Sequence, residues 1–186
     1  MTISHETTTY QGATLSLPGF LIPLLPPRLP LCRWPTYCGA GEGLGDILVP
    51  DFIKGACVGP ACLIHDLDWA LCSPTFREFS LANFRFFRNL LALCAIQLPW
   101  HSLPLAYLRC LWYTGVVMSV GWPIFLSSAE GPISPYRSAT VRDRLNKLAW
   151  ADMGLPTSTL VSKRYPYTEE LDSFEEVSEV GDAEVE

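Results

Sequence analysis

A histidine followed by an aspartate is the pair of residues in this chain best suited to chemistry. His65 and Asp66 fall within residues 60–72, where Pro60 suits the first turn of a helix. One side of that helix carries Cys62, His65, Trp69 and Cys72. The imidazole of such a pair can take a proton from water while the carboxylate ligates a hard cation. A lone histidine on an apolar helix face is more often a core residue, but the adjacent carboxylate favours a site.

A glycine-rich loop precedes the pair. Residues 37–46 read Tyr-Cys-Gly-Ala-Gly-Glu-Gly-Leu-Gly-Asp, and glycines at alternate positions cannot hold a helix or a good strand. Backbone carbonyls from a turning loop are hard oxygen ligands that suit calcium. Cys38 lies in this loop and Cys62 lies one helical turn before His65. A disulfide bond between them would hold the loop against the helix.

These two segments together resemble the secreted phospholipase A2 superfamily. Its loop reads Tyr-Cys-Gly-x-Gly, as at residues 37–41, and its helix reads Cys-x-x-His-Asp, as at residues 62–66. The resemblance extends over roughly residues 37–97. It implies a core of two antiparallel helices with a glycine-rich calcium loop. The implied activity is calcium-dependent hydrolysis of the sn-2 ester of glycerophospholipids.

The resemblance also implies a role for each matching residue. His65 is the expected general base, and the Asp66 carboxylate is an expected calcium ligand. The other expected ligands are the backbone carbonyls of Tyr37, Gly39 and Gly41. Calcium and the Gly39 N–H would hold the oxyanion. The loop-to-helix disulfide of the family corresponds to Cys38 and Cys62.

The chain departs from the family at several positions. Trp69 replaces a tyrosine, Ala61 replaces the first cysteine of a pair, and the gap from Gly39 to His65 is longer than in the animal enzymes. Asn83 best matches the aspartate that orients the histidine. We expect the Asn83 oxygen to face Nδ1 of His65 in a slow but active enzyme, with Asp68 as the next candidate partner. This pattern is similar to the short bacterial, fungal and viral members.

Further helices follow the site and give a mainly α class. A helix is predicted from Pro74 or Thr75 to about Leu98, because Thr75 and Glu78 have capping-box spacing. Its predicted buried stripe consists of Phe76, Phe79, Asn83, Phe86, Leu90 and Leu93. Its predicted solvent side carries Arg77, Arg85 and Arg88.

Two more helices are predicted beyond this one. Residues 103–127 are strongly apolar, but Pro123 interrupts the run, so a buried amphipathic helix is favoured over a membrane span. Residues 138–153 predict a last amphipathic helix. We expect no cleanly alternating strand, although a short hairpin can lie within the loops.

The two ends of the chain differ from its middle. Residues 1–36 are polar and then Leu/Pro-rich, residues 37–155 form the predicted helical domain, and residues 156–186 form an acidic tail predicted to be disordered. Leucines of residues 15–36 either pack over the core or touch lipid. Residues 169–186 hold nine acidic residues and no Lys or Arg. The chain has 19 acidic and 13 basic residues, so residues 1–168 hold ten acidic and thirteen basic residues, a net charge of +3. This balance excludes a concentrated nucleic-acid surface and suits a phospholipid membrane surface.

Other reactive side chains are interpreted as structural. His5 and His101 are read as surface residues. The predicted small core residues are Cys57, Cys72, Cys94 and Cys110. The first ten residues lack the basic region of a secretory signal, which together with the short family members favours a phage or viral protein that acts in a virion or after release. Two alternatives stay open: a phospholipase A2-like binding or virion protein with little turnover, or a small protein anchored in the membrane by residues 103–127. The oligomeric state is not predicted.

Overall fold

The computed structural model describes residues 4–26, 29–34 and 52–128, and within these ranges the protein is mostly helical. Two small antiparallel hairpins precede three α-helices in the described residues. The strands are β1 (His5–Tyr10), β2 (Ala13–Pro18), β3 (Phe52–Ile53) and β4 (Ala56–Cys57). The helices are α1 (Gly59–Leu71), α2 (Phe76–Gln97) and α3 (Leu103–Ser128), with short 3-10 segments at Gly19–Leu24, Leu31–Arg33 and Trp100–Ser102. This confirms the mainly α class.

The N-terminal hairpin was not predicted. Strands β1 and β2 pair from His5 opposite Pro18 to Tyr10 opposite Ala13. Gln11 and Gly12 form the turn with φ of 47° and 90°, the conformation that a two-residue hairpin loop requires. The signal was present in Ala13-Thr14-Leu15-Ser16-Leu17, which alternates small or apolar with polar residues. The expectation of no cleanly alternating strand is therefore wrong for this segment.

The Leu/Pro-rich segment packs over the core, as the first of its two readings proposed. Leu21 and Leu29 are buried among the residues of the main core. The Tyr10 hydroxyl lies 2.8 Å from the carbonyl oxygens of both Pro26 and Leu29, and the Trp34 indole N–H donates to it over 3.2 Å. A segment too rich in proline for a helix is thus held by side-chain hydrogen bonds.

Two amide side chains of α2 attach the hairpins to the helices. Asn89 Oδ1 accepts from the Ser16 N–H at 2.8 Å, and its Nδ2 donates to the Ser16 carbonyl at 2.9 Å. Gln97 makes the same pair of bonds with the Cys57 backbone, at 2.9 and 3.0 Å. Each amide thus bonds to both the backbone N–H and the backbone carbonyl of one strand residue. Without these bonds the two groups would be left without hydrogen-bond partners when burial removes water.

The first two helices form where the sequence predicts them. Pro60 lies in the first turn of α1, and Thr75 caps α2 by accepting from the Glu78 N–H at 3.3 Å. The predicted stripe of α2 is buried from Phe79 onward, but Phe76 is 67% exposed and was assigned wrongly. Arg85 was also assigned wrongly, because its side chain is only 12% exposed.

Helix α3 has the predicted length but not the predicted environment. Its buried side chains are Ala106, Cys110, Tyr113, Thr114 and Phe125, with Gly121 also buried. Most of its other described residues are exposed although they are apolar, so the expectation of a buried amphipathic helix is wrong. By length and composition alone, Phe76–Gln97 and Trp100–Pro123 could each cross a membrane.

Candidate functional site

The structure brings together two of the predicted site residues, His65 of α1 and Asn83 of α2. The two helices run in opposite directions, because the His65 ring contacts Phe86 while the Trp69 ring, one turn further along α1, contacts Phe79. The predicted loop residues Tyr37, Cys38, Gly39 and Gly41 lie outside the described residues. Their roles therefore stay predictions.

Asn83 lies beside His65, and its amide oxygen faces the imidazole as expected. The distance from Asn83 Oδ1 to His65 Nε2 is 2.8 Å. The expected ring nitrogen was wrong, because Nε2 and not Nδ1 faces the amide. An amide oxygen only accepts, so this contact requires the proton on Nε2. The neutral imidazole then carries its lone pair on Nδ1, which is the nitrogen that can accept a proton.

The orientation of the Asn83 amide is fixed by a second bond. Its Nδ2 donates to the Phe79 carbonyl oxygen at 2.9 Å, one turn earlier in α2. A flipped amide would place its oxygen against that carbonyl and its NH₂ against His65 Nε2. Since a carbonyl oxygen cannot donate, the unflipped assignment is the one that satisfies both contacts. The bond between Asn83 and Phe79, within one turn of α2, therefore determines the tautomer of His65 on α1.

His65 is held in an apolar cage. It is 6% exposed, and its ring centroid lies 4.5 Å from that of Trp69 and 4.4 Å from that of Phe86. Burial lowers the pKa of His65 to about 4, against smaller raising effects of the Asn83 hydrogen bond and the Asp68 charge. The imidazole is therefore neutral at neutral pH, which is the form that a general base needs.

Asp66 follows His65 in α1 and is half-buried. Successive helix residues project about 100° apart, so its carboxylate and the imidazole leave the helix on adjacent sides. Within residues 4–26, 29–34 and 52–128, no group of three or more His, Cys, Asp or Glu side chains could hold a metal ion. A calcium site at Asp66 would thus require ligands of another kind, such as backbone carbonyls.

Asp68 has a different role from the one considered for it. It is 1% exposed, with its two oxygens 2.7 Å from Arg85 Nε and 2.8 Å from His5 Nε2. It is therefore not the hydrogen-bond partner of His65, and His5 is not a simple surface residue. Arg85 and His5 come from α2 and β1, so one carboxylate joins three elements. No local signal could have identified a partner 63 residues away.

The cysteines divide into bonded and free groups. Cys32 and Cys57 form a disulfide that was not predicted, with Cα atoms 5.2 Å apart, and Cys57 is buried in the core as expected. Cys62 is also disulfide-bonded, while the predicted partner Cys38 lies outside the described residues. The free cysteines of the described residues are buried, as predicted: Cys72, Cys94 and Cys110. Burial raises the pKa of Cys72 to about 12, so this thiol stays protonated.

Trp69 connects the site to α3. A Cβ atom placed on Gly121 of α3 would lie 2.5 Å from the Trp69 ring, so only glycine permits this approach. Phe79 and Phe125 cover other parts of the ring, with centroids 5.7 and 5.8 Å away. Among the described residues, no acceptor lies within hydrogen-bonding distance of the Trp69 indole N–H. Packing therefore decides the position of Trp69.

No family model, curated protein or solved structure matches this chain.

Proposed function

We propose that this protein is a calcium-dependent lipid esterase that hydrolyses the sn-2 ester of glycerophospholipids, with His65 as general base. The observation that carries the proposal is the 2.8 Å contact between Asn83 Oδ1 and His65 Nε2. It fixes the tautomer in which Nδ1 can accept a proton. For an ordinary core histidine, any hydrogen-bond partner is sufficient. The partner of His65 is Asn83, whose amide is itself oriented by its bond to the Phe79 carbonyl.

In this proposal His65 Nδ1 takes a proton from the attacking water. Asn83 keeps the imidazole in its reactive orientation and accepts from Nε2 throughout the proton transfer. The caging by Trp69 and Phe86 excludes bulk water from one side of the ring. The Asp68 charge raises the pKa of His65, and the smaller effect of Arg85 opposes it. The imidazolium is therefore stabilised less than it would be by a direct carboxylate, which predicts a slow enzyme.

The proposed calcium ligands are the Asp66 carboxylate and the backbone carbonyls of Tyr37, Gly39 and Gly41. A carboxylate and carbonyl oxygens are the ligand types that calcium prefers. Calcium would supply positive charge to the ester carbonyl and its oxyanion, beside the Gly39 N–H. Asp66 suits this role because it adjoins His65 on the same helix.

A disulfide between Cys62 and Cys38 would hold the calcium loop near α1, as the family resemblance implies. Cys62 is disulfide-bonded. Of the seven cysteines, Cys32 pairs with Cys57, and Cys72, Cys94 and Cys110 are free. Cys38 is the cysteine that this assignment leaves. The opposed course of α1 and α2 also supports a phospholipase A2-like core.

A second candidate function is a binding protein that retains the scaffold with little turnover. The observation that favours it is Asn83 itself, because an amide fixes the tautomer without stabilising the imidazolium charge. A virion-associated role and action at a phospholipid surface are compatible with either function. The two candidates differ in whether product is released.

The deciding assay uses a phospholipid with different acyl chains at sn-1 and sn-2, presented in mixed micelles. The wild-type protein is expected to release the sn-2 fatty acid in calcium and to release none in EGTA. If neither wild type nor Asn83→Asp releases fatty acid from any phospholipid tried, while calcium still binds, the binding function replaces the enzymatic one. Equal release in EGTA would contradict the role of calcium.

A further inference from the structure

The outer face of α3 is apolar and exposed along most of the helix. We define this face by the side chains that are 42–59% exposed: Leu105, Tyr107, Leu108, Leu111, Trp112, Met118, Val120 and Leu126. Trp100, just before α3, is 81% exposed. Single exposed apolar residues are ordinary, but a continuous apolar helix face marks an interaction surface.

The polar groups of α3 are compatible with an apolar environment around its outer face. Ser119 is exposed, yet its hydroxyl donates to the Gly115 carbonyl at 2.7 Å, so the helix itself satisfies this donor. Arg109 is the charged residue of α3 and lies near its N-terminal end. An arginine side chain can lay its methylenes along an apolar surface while its guanidinium reaches a polar boundary. The face therefore matches a hydrocarbon environment with a polar edge.

The exposed charges of the described residues complement an anionic surface. In the described residues the exposed basic side chains are Arg33, Lys54, Arg77, Arg88 and Arg109, whereas Glu6 is the exposed acid. The other described acids are buried or half-buried, and Asp68 is neutralised by partners. Basic residues near an apolar face attract anionic phospholipid headgroups. A protein partner would require no such excess of one charge.

The packing of α3 indicates how it would lie in a bilayer. The helix has 26 residues, which corresponds to about 39 Å. That length would span a membrane, but α3 packs along α2, whose outer side carries the exposed Arg77 and Arg88. Both charges would enter the hydrocarbon if the helix pair crossed it, at a cost of several kcal/mol. An α3 lying parallel to the surface leaves these arginines outside.

We propose that α3 is a monotopic membrane anchor, with its outer face in the upper acyl region of an anionic bilayer. The helix lies along the membrane plane, and the exposed Arg109 reaches the headgroups. This anchoring does not depend on turnover or on calcium. It replaces both sequence-based alternatives for residues 103–127, a buried helix and a spanning one.

The test measures flotation of the full-length protein with vesicles in EGTA, so that hydrolysis plays no part. The vesicles contain phosphatidylcholine alone or with phosphatidylglycerol. Trp112→Asp is compared with Phe84→Asp, because each aromatic side chain is 57% exposed and each change adds one negative charge. Phe84 belongs to the exposed side of α2 and not to the α3 face. Trp112→Asp is expected to reduce binding at least tenfold, and Phe84→Asp much less.

Depth is measured separately with lipids brominated on their acyl chains. Wild-type tryptophan emission should be quenched more than that of Trp112→Phe, which keeps the apolar face but lacks this fluorophore. Alkaline carbonate should release the protein from the vesicles only in part. Equal effects of the two Asp variants would overturn the proposal. So would a dimer in solution that Trp112→Asp dissociates without any change in vesicle binding, since the face would then bind a second copy.

Discussion

The inner side of α2 and the outer face of α3 differ in opposite ways from an ordinary helix surface, because the first holds polar groups among apolar ones and the second exposes apolar groups. The inner side holds two buried amides, Asn83 and Asn89, and the half-buried amide of Gln97, and each has specific partners. The outer face of α3 exposes apolar side chains and has few polar groups. On the first surface the protein supplies every partner from its own backbone or side chains. On the second we infer that the partner comes from outside the chain.

The largest expected effect concerns the buried charges behind α2. Arg85→Leu removes the main partner of Asp68 and leaves a buried carboxylate with only His5, which should reduce the free energy of unfolding by about 3 kcal/mol. Arg77→Leu is the matched control, because its ion pair with Glu78 spans 3.3 Å and its side chain is 79% exposed. That change should cost under about 0.5 kcal/mol. Urea denaturation of both variants measures the difference, and equal losses would contradict the assignment.

The next effect distinguishes two buried amides of α2. Asn83→Leu leaves the His65 Nε2–H without an acceptor and frees the tautomer, so fatty-acid release should fall about 10²-fold. Asn89→Leu removes an equally buried amide that bonds to Ser16 instead, and it should lower stability without a comparable loss of kcat.

Asn83→Asp should keep the rate near that of wild type or raise it. A carboxylate still accepts from Nε2 and adds charge stabilisation, although it cannot donate to the Phe79 carbonyl. Steady-state kinetics of the folded variants provide the measurement. Full activity in Asn83→Leu would show that the amide does not orient the base.

A smaller effect is expected where the site meets α3. Gly121→Ala places a methyl group 2.5 Å from the Trp69 ring and should cost about 1–3 kcal/mol through overpacking. Gly115→Ala, in the same helix with nothing within 4 Å of the added atom, should be neutral or stabilise by up to about 1 kcal/mol. Thermal unfolding with matched calorimetric enthalpies gives both values. A stabilising Gly121→Ala would mean that α3 does not pack against Trp69 in this way.

The smallest expected effect is on calcium affinity. Asp66→Asn removes the anionic ligand assigned to calcium, so calorimetric affinity should fall at least about tenfold. Glu78→Gln makes the same change from carboxylate to amide on the neighbouring helix and should leave the affinity unchanged. Unaltered calcium binding in Asp66→Asn would place the metal elsewhere.

Local sequence signals predicted the helices, and the resemblance to the phospholipase A2 superfamily predicted the pairing of His65 with Asn83. Pro60 and Thr75 act within one helical turn, and periodicity gave both site residues the same inward direction. Periodicity does not give the rotation of a ring, which is why the choice of nitrogen was wrong. Periodicity also does not predict that Arg85 contacts Asp68, because a long side chain at the edge of a helix face can extend either toward solvent or toward the core.

The environment of α3 was unpredictable for a different reason. Its buried and exposed residues are both apolar, so hydrophobic periodicity carries no information about which side packs against α2. The hairpin was missed although Ala13 to Leu17 alternates, because its first strand, His5–Tyr10, shows no alternation of apolar and polar residues. The hairpin is attached to α2 by the hydrogen bond between Ser16 and Asn89, which joins distant parts of the chain and leaves no local signal.

The most direct test of the account is fatty-acid release by His65→Gln beside His101→Gln. His101 is exposed, so the second variant makes the same chemical change away from the site and reports any co-purifying lipase. We predict that His65→Gln loses calcium-dependent sn-2 release by about 10²–10⁴-fold while calcium still binds, and that His101→Gln matches wild type. Undiminished release by folded His65→Gln would contradict the claim that His65 is the base.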